Sequence, residues 1–178
     1  MQPDLPAGPW RGFLAEADRL LSNRIDLHCI GAFALVLAYG LPRATADIDV
    51  IGVVPHFAAA ELTKLAGKGS PLHSEYGAYI DVVTVVTPPE AYTDRLIPLF
   101  PNTWNHLKMF ALEAHDLALT KLERNLDRDR SDVQFLARAG HLNPEILRER
   151  YQRELRPYLQ SRPEWHDQTL EMWIEAYF

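Results

Sequence analysis

The sequence predicts an α+β fold, in which helices flank a small sheet and a helical part forms the C-terminal end. Segments that are β-branched or alternate in hydropathy all lie before residue 113, while segments with helical spacing dominate after it. Hydrophobic residues make up 47% of the chain and charged residues 24%, which is the balance of a folded protein rather than a disordered one. We therefore expect a core over residues 1–112 and, packed on it, a helical region over residues 113–178.

Helices and strands are expected to alternate in the front part. The expected helices are Trp10–Leu21, Ala32–Tyr39 and Phe57–Ala66, and the expected strands are Ile25–Ile30, Ala46–Val54, Tyr79–Val86 and His106–Leu112. The second helix is apolar on every face and is followed by Gly40, which is typical of a buried helix with a glycine just past its end. Residues 67–71 are expected to form a loop, and prolines interrupt residues 90–105, so no element is predicted there.

The back part carries four helical patterns, over Glu113–Asn125, Asp129–Ala139, Pro144–Leu159 and Asp167–Tyr177. The third has a strong start signal, because Asn143 can cap the first backbone N–H groups and Pro144 suits the first helical position. The last carries four apolar side chains on one face, which predicts a packed surface: Leu170, Trp173, Ile174 and Tyr177.

Composition excludes several classes of protein. A net charge of −6 argues against a protein coated by nucleic acid. Residues 121–156, with nine basic and seven acidic side chains, fit either a local phosphate-facing surface or a helix laced with ion pairs. The single cysteine, Cys29, rules out an internal disulfide and a thiolate zinc site. No apolar run approaches the roughly 20 residues that cross a bilayer, and the first residues do not resemble a signal peptide, so we expect a cytoplasmic protein outside the membrane.

Asp47 and Asp49 are the sharpest chemical feature of the sequence. Residues two apart on a strand point to the same side, so both carboxylates project from one face, roughly 7 Å apart at the backbone. Two carboxylates this close repel each other, and Mg²⁺, which prefers carboxylate and phosphate oxygens, would relieve the repulsion. For the pair taken alone, exposure to solvent or pairing with arginine is the alternative explanation.

Asp81 is a lone acid inside the most hydrophobic expected strand. Burying a carboxylate without a partner is costly, so Asp81 is expected to face a cation or water, or to lie on an outward face at a sheet edge. If the strands over 46–54 and 79–86 are neighbours, Asp81 joins Asp47 and Asp49 in one cluster. Three clustered carboxylates are what a two-metal phosphoryl-transfer site requires.

Gly31 ends a strand where a helix begins. The free N–H groups at such a helix end bind anions, and glycine lets the backbone approach a phosphate closely, so Gly31 and Ala32 fit a phosphate site. A tight turn that needs glycine only for packing is an equal alternative. The following turn would bring Arg43 and Thr45 near the same pocket, unless Arg43 only pairs with a carboxylate.

This order of motifs resembles the nucleotidyltransferase superfamily, with its polymerase-beta-like fold, and most closely the branch that contains abortive-infection and toxin–antitoxin nucleotidyltransferases. The residues that carry the resemblance are Gly31-Ala32, Arg43-Ala44-Thr45, Asp47-Ile48-Asp49 and Asp81, followed by Lys121 and by Arg128-Asp129-Arg130-Ser131-Asp132. It covers roughly residues 25–140. If one helix runs through residues 121–132, four polar side chains form one stripe along it: Lys121, Asn125, Arg128 and Asp132. The alternative is an exposed helix face with salt bridges.

The resemblance implies a small mixed sheet of the nucleotidyltransferase type and Mg²⁺-dependent transfer of a nucleoside monophosphate from a triphosphate such as ATP. Asp47, Asp49 and Asp81 would hold two Mg²⁺ ions. Gly31, Ala32, Arg43 and Thr45 would bind the nucleotide. Lys121 would neutralise negative charge on the nucleotide or the transition state, and Asp132 would either orient Lys121 or contact the nucleotide.

The acceptor implied by the resemblance is a hydroxyl of an RNA, such as a tRNA 3′ end, or of a protein, with a toxin role and a cognate antitoxin as partner. The family usually has glycine or serine where this chain has Ala32, so a catalytically inactive module that binds a nucleotide or a partner protein is the main alternative. A metal-dependent phosphodiesterase is a weaker one, because no histidine cluster accompanies the acids.

Overall fold

The computed structural model describes residues 9–178, which contain eight α-helices and five strands. The helices are α1 (Pro9–Leu20), α2 (Gly31–Tyr39), α3 (Ala59–Ala66), α4 (Pro71–Tyr76), α5 (Ala114–Leu119), α6 (Asp127–Arg138), α7 (Pro144–Arg150) and α8 (Pro163–Tyr177). The strands are β1 (Ile25–Cys29), β2 (Asp47–Val54), β3 (Tyr79–Val82), β4 (Ile97–Leu99) and β5 (Leu107–Ala111). Within these residues no helix combines the length and the apolar character needed to cross a membrane.

The strands form one mixed sheet with the order β3-β2-β1-β5-β4, which confirms the α+β prediction. The strand β1 pairs antiparallel with β2 and parallel with β5. The pair β2 and β3 is parallel, and the pair β4 and β5 is antiparallel. The strand that carries Asp81, β3, therefore lies at one edge of the sheet, directly beside the strand that carries Asp47 and Asp49.

By their internal contacts the residues divide into two units. The first unit extends to Thr84 and includes Leu96–Ala111, so it contains the whole sheet and helices α1 to α4. The second unit comprises Val85–Arg95 and Leu112–Phe178 and contains helices α5 to α8. The segment 85–95 thus belongs to the second unit although β4 and β5 follow it in the chain.

The core of the first unit lies on the face of β2 and β3 that is opposite the aspartates. Ile48 and its cross-strand partner Ile80 are 0% and 1% exposed. Aromatic side chains join the helices to one another, with Trp10 of α1 on Phe33 of α2 at 5.2 Å between ring centroids. Because successive strand residues alternate between faces, burying these isoleucines turns the carboxylates to the other face.

Asp18, near the end of α1, fixes the start of β5. Its buried carboxylate accepts backbone hydrogen bonds from Asn105 at 3.1 Å and from His106 and Leu107 at 2.7 Å each. Burial by itself would raise the pKa of Asp18, but these donors outweigh it and hold the pKa below its ordinary value. The interaction is long-range in sequence, and the sequence patterns did not predict it.

Four features of the first unit differ from the sequence patterns. The strand β3 ends at Val82 rather than Val86, because its ladder to β2 closes with the bond from Val83 N–H to the Val50 carbonyl. The expected helix over residues 57–66 starts with a 3₁₀ turn, so α3 begins at Ala59. The helix α4 begins at the last residue of the expected loop and continues where no element was predicted, since Ser70 Oγ accepts from the His73 N–H and a proline occupies the first position. The strand β4 lies in the proline-interrupted stretch, where an edge position tolerates proline.

In the second unit, the expected helices are shorter and more broken than their patterns. The helix predicted over 113–125 ends as α5 at Leu119, and Asn125 has a positive φ of 44°, which no continuous helix accommodates. The helix predicted over 144–159 ends as α7 at Arg150 and continues as a π-helical turn and a 3₁₀ turn. Pro157 lies in the 3₁₀ turn and explains why the α-helix does not continue there, because proline has no backbone N–H to donate.

The two helix starts nearest the C-terminus follow simple local chemistry. Asn143 Oδ1 accepts from the backbone N–H groups of Glu145 and Ile146, as its position before Pro144 predicts. The last helix, α8, starts at Pro163 rather than Asp167, again with proline in the first turn. Of its four expected apolar contacts, three are buried in the core of this unit: Leu170, Trp173 and Ile174.

Candidate active site

The parallel register of β2 and β3 brings the three aspartates onto one face of the sheet. Asp49 pairs with Asp81, and Asp47 pairs with Tyr79. Neighbouring strands lie about 4.8 Å apart, so the Asp49 and Asp81 side chains leave the sheet side by side. The structure therefore contains the strand pairing on which the carboxylate cluster depends.

Exposure differs among the three carboxylates. Asp47 and Asp49 are half-buried, while Asp81 is exposed on the edge strand. Asp81 thus faces water on an outward face at the sheet edge, which was one of the two environments expected for it. The cluster is open to solvent on the Asp81 side, so a ligand can approach it from there.

Gly31 lies directly against Asp49. It has a φ of +68°, and a Cβ atom added to it would lie 2.4 Å from Asp49 Oδ2. The neighbouring Ile30 N–H also donates to the Asp49 carbonyl at 2.8 Å, which fixes the two segments together. The positive φ and the Asp49 carboxylate therefore both require glycine at this position, and the positive end of the α2 dipole lies beside that negative charge.

Thr45 contacts Asp47 rather than standing free in the pocket. Its hydroxyl donates to Asp47 Oδ1 at 2.7 Å, a short bond to a charged acceptor that holds the carboxylate in one orientation. Arg43 is half-buried on the turn before β2, and its backbone N–H donates to the Leu41 carbonyl at 2.8 Å. Ala32 is half-buried as the second residue of α2, with no hydroxyl in its side chain.

Tyr79 is a member of this site that the motifs did not single out. It lies two residues before Asp81 on the same face and opposite Asp47 in the ladder. Burial, and then the carboxylates of Asp47, Asp81 and Asp49, raise the pKa of its hydroxyl, because each disfavours the phenolate. The period of two on the strand was the signal that could have found it.

Carboxylate chemistry is what the site offers to a metal ion. Among residues 9–178, no group of three or more histidine, cysteine, aspartate or glutamate side chains is already arranged to hold an ion. Mg²⁺ commonly takes only one or two protein carboxylates and completes its shell with water and substrate phosphates. The half-buried pair Asp47 and Asp49, with Asp81 beside it, fits that donor set when a phosphate substrate supplies the remaining oxygens.

The later motif residues form a buried cluster in the second unit. Lys121 Nζ lies 2.7 Å from Asp132 Oδ2 and 3.8 Å from Asp129 Oδ1. Lys121 is 5% exposed and Asp132 1%. Arg124 makes two bonds to Asp129, at 2.8 and 2.6 Å, and so completes the charge balance. Of the two roles open to Asp132, the structure shows the contact with Lys121.

The expected polar stripe on one continuous helix is wrong. The backbone turns at Asn125, whose positive φ ends the segment before α6 begins, and Asn125 Oδ1 accepts from Trp173 Nε1 at 3.1 Å. The alternative of an exposed salt-bridged face is also wrong for Lys121 and Asp132, because both are buried. The two residues meet across the turn instead of along a helix.

A second buried ion-pair network in this unit had no sequence signal. Arg95 donates two bonds of 2.9 Å to Asp116, which is fully buried, and Arg150 contacts both Asp116 and Glu113. Burial would raise the pKa of Glu113, but His115 and Arg150 outweigh it and lower that pKa to about 2. The network anchors the segment 85–95 to α5 and is structural in character.

The carboxylates of Asp47 and Asp49 thus lie on a mixed sheet, with Asp49 beside the glycine that starts α2. A model of the family described as "Nucleotidyltransferase of unknown function (DUF6036)" matches residues 13–177. The match spans nearly the whole chain, and the protein belongs to that family. No curated protein and no solved structure matches the chain. The family supports the resemblance to the superfamily, while its narrower toxin–antitoxin branch stays a prediction.

Proposed function

We propose that the protein is a Mg²⁺-dependent nucleotidyltransferase that moves a nucleoside monophosphate from a triphosphate, such as ATP, to a hydroxyl of an acceptor. The observation that carries the proposal is the contact between Gly31 and Asp49 together with the Asp49–Asp81 register. These contacts bring the positive end of a helix and paired carboxylates to one place. Phosphoryl transfer needs both positioning and charge stabilisation at the same point.

The carboxylates of Asp47, Asp49 and Asp81 would hold Mg²⁺, with Thr45 keeping Asp47 in its orientation. The ion supplies neutralisation of phosphate charge and a lower pKa for the acceptor hydroxyl. In the reaction, the acceptor oxygen bonds to the α-phosphorus and the bond from that phosphorus to the bridging oxygen breaks. Pyrophosphate leaves with the bridging oxygen, and the hydroxyl proton passes to solvent on the open side of the cluster beside Asp81.

The triphosphate would be bound at the start of α2. Backbone N–H groups at this helix end, including those of Gly31 and Ala32, suit phosphate oxygens, and Ile30 precedes the helix without a side-chain cap that would compete. Arg43, on the turn that follows, adds a positive charge. Because Ala32 contributes only its backbone N–H, nucleotide binding depends on backbone donors and the metal more than on a side-chain hydroxyl.

Lys121 and Asp132 both lie in the second unit, where Asp132 is proposed to orient Lys121. The buried 2.7 Å pair supports the orienting role of Asp132. The acceptor would be an RNA or protein hydroxyl. A growth-arresting toxin, held in check by an antitoxin partner, is the biological role that the resemblance suggests.

A binding module without catalysis is the second candidate function. Two observations favour it: the Lys121 charge is already compensated by Asp132, and Ala32 has no hydroxyl for the triphosphate. Such a module would bind a nucleotide or a partner protein with Mg²⁺ but transfer nothing.

Binding and transfer measured on the same samples separate the two functions. Wild type, Asp49→Asn and the control Asp26→Asn, an aspartate of β1 that pairs with Arg24, are titrated with each nucleoside triphosphate with and without Mg²⁺. The same proteins are incubated with α-labelled nucleotide and a cell lysate. Label on an RNA or protein with wild type and Asp26→Asn alone supports the enzyme. Mg²⁺-dependent binding without label transfer supports the module.

A further inference from the structure

Three side chains at the edge of the sheet form a small cluster beside the aspartates. Lys68 Nζ lies 5.8 Å from the centroid of the Tyr79 ring, within the range of a cation–π contact. His73 packs its ring edge-on against the same Tyr79 ring, with centroids 5.0 Å apart and planes at 73°. We call Lys68, His73 and Tyr79 the Tyr79 cluster.

The cluster is accessible and oriented. Lys68 is exposed, while His73 and Tyr79 are half-buried. The Gly69 N–H donates to His73 Nδ1 at 3.0 Å, so Nδ1 is the acceptor of the ring and Nε2 is its donor nitrogen. A positive charge, an N–H donor and an aromatic ring therefore lie together on a surface that a ligand can reach.

The cluster also lies in register with the proposed reaction centre. Tyr79 is the cross-strand partner of Asp47 and shares a face with Asp81. A ligand that touches the Tyr79 ring would have its next groups close to the carboxylates. This position is on the exposed edge, on the same side as the open approach to Asp81.

We propose that the Tyr79 cluster binds the acceptor, and that the acceptor is a single-stranded nucleic acid whose terminal hydroxyl reaches the aspartates. The proposal rests on the proposed function. A base stacks on the Tyr79 ring, and the adjoining phosphate is held by Lys68 and His73. Single-strand sites combine aromatic rings for bases with positive charge for the backbone, and the cluster contains both. An aromatic ring for a base beside positive charge for a phosphate is the combination that favours nucleic acid over a protein acceptor.

Binding without nucleotide tests the proposal separately from catalysis. The probes are a 5′-fluorescein single-stranded RNA of about 12 nucleotides, a length that one single-strand site covers, and DNA of the same sequence. Fluorescence anisotropy is recorded with Mg²⁺, without any triphosphate, and over a range of salt. The variants are Lys68→Gln, Tyr79→Leu and Tyr79→Phe, and the matched control is Lys64→Gln, an exposed lysine one turn earlier on α3.

The expected result is specific to the cluster. Lys68→Gln weakens binding and reduces the slope of log affinity against log salt by about 0.7, the contribution of one phosphate contact on a single strand. Tyr79→Leu weakens binding roughly 5- to 150-fold, the range for loss of one stacked base. Tyr79→Phe keeps the ring and binds as wild type does. Lys64→Gln leaves affinity and salt slope unchanged.

Binding of RNA, DNA or both in this pattern supports the proposal and shows whether the 2′-hydroxyl matters. An equal loss of affinity for the probe in Lys68→Gln and Lys64→Gln overturns the proposal, and so does an absence of binding by wild type. Transfer of label to a protein by a wild type that binds no nucleic acid overturns this inference and leaves the proposed function standing. Cluster-dependent binding without transfer to any acceptor supports the cluster and removes the proposed function.

Discussion

Gly31 provides the sharpest test of how the helix α2 and the carboxylates depend on each other. Gly31→Ala imposes two costs. A side chain at a φ of +68° costs roughly 1–2 kcal/mol through backbone strain. The new Cβ also meets Asp49 Oδ2 at 2.4 Å, so the carboxylate must move, and overpacking of this kind costs about 1–3 kcal/mol more.

Gly40 is the matched control for the first cost. It ends α2 with a φ of +72°, nearly the same backbone conformation, and an added Cβ there meets nothing within 4 Å. Gly40→Ala should therefore lower the free energy of unfolding by roughly 1–2 kcal/mol and leave the site intact. Gly31→Ala should lower it by about 2–5 kcal/mol and also abolish transfer, since Asp49 is displaced.

The assay is equilibrium urea unfolding of four variants: Gly31→Ala, Gly40→Ala, Asp49→Ala and the double variant Gly31→Ala/Asp49→Ala. Removing the carboxylate removes the clash, so the double variant should be more stable than the sum of its single effects predicts. Equal losses of unfolding free energy in Gly31→Ala and Gly40→Ala would refute the reasoning, because the Asp49 contact would then contribute nothing.

Three further predictions concern side chains that support the site or the fold. Thr45→Val should lower the rate of label transfer, because it removes the bond to Asp47, and Thr45→Ser should restore most of that rate in the same assay. Lys121→Met should lower the free energy of unfolding by about 3–5 kcal/mol, since it removes the buried cation that lies 2.7 Å from the buried Asp132 carboxylate; the double variant with Asp132→Leu should recover much of the loss in a urea titration. Asp18→Asn should make stability less sensitive to acid. The pKa of Asp18 is lower in the folded state than in the unfolded state, so its stabilisation is present above the unfolded pKa and is lost as the pH falls through the folded pKa. Unfolding curves recorded from neutral pH downwards check this, and an unchanged pH dependence in the variant would contradict it.

Features with local causes could be predicted from the sequence. The Gly40 end of α2 and the Asn143 cap of α7 both depend on residues next to each other in the chain. The common face of Asp47 and Asp49 follows from the period of a strand. The addition of Asp81 to this pair depended on the assumption that β2 and β3 are neighbouring strands. The observed register shows that they are.

Features with distant causes could not be predicted. Asn125 breaks the expected helix in a region where its side chain contacts Trp173, which is far along the chain. Gly31 and Asp49 belong to two motifs that the sequence analysis treated separately. Their contact shows that a side chain at position 31 would clash with the Asp49 carboxylate. The period of two places Tyr79 on the face of Asp81, but its pairing with Asp47 and its contact with Lys68 join residues that are not adjacent in sequence.

Label transfer by wild type and Asp49→Asn tests the central claim most directly. Purified proteins are incubated with Mg²⁺, an α-labelled triphosphate and a cell lysate, with Asp26→Asn as the control and unfolding curves to show that each variant is folded. The account predicts that wild type and Asp26→Asn label an acceptor and release pyrophosphate, while folded Asp49→Asn does neither. Wild-type turnover by Asp49→Asn would contradict it, because the carboxylate that contacts Gly31 would then have no part in the chemistry.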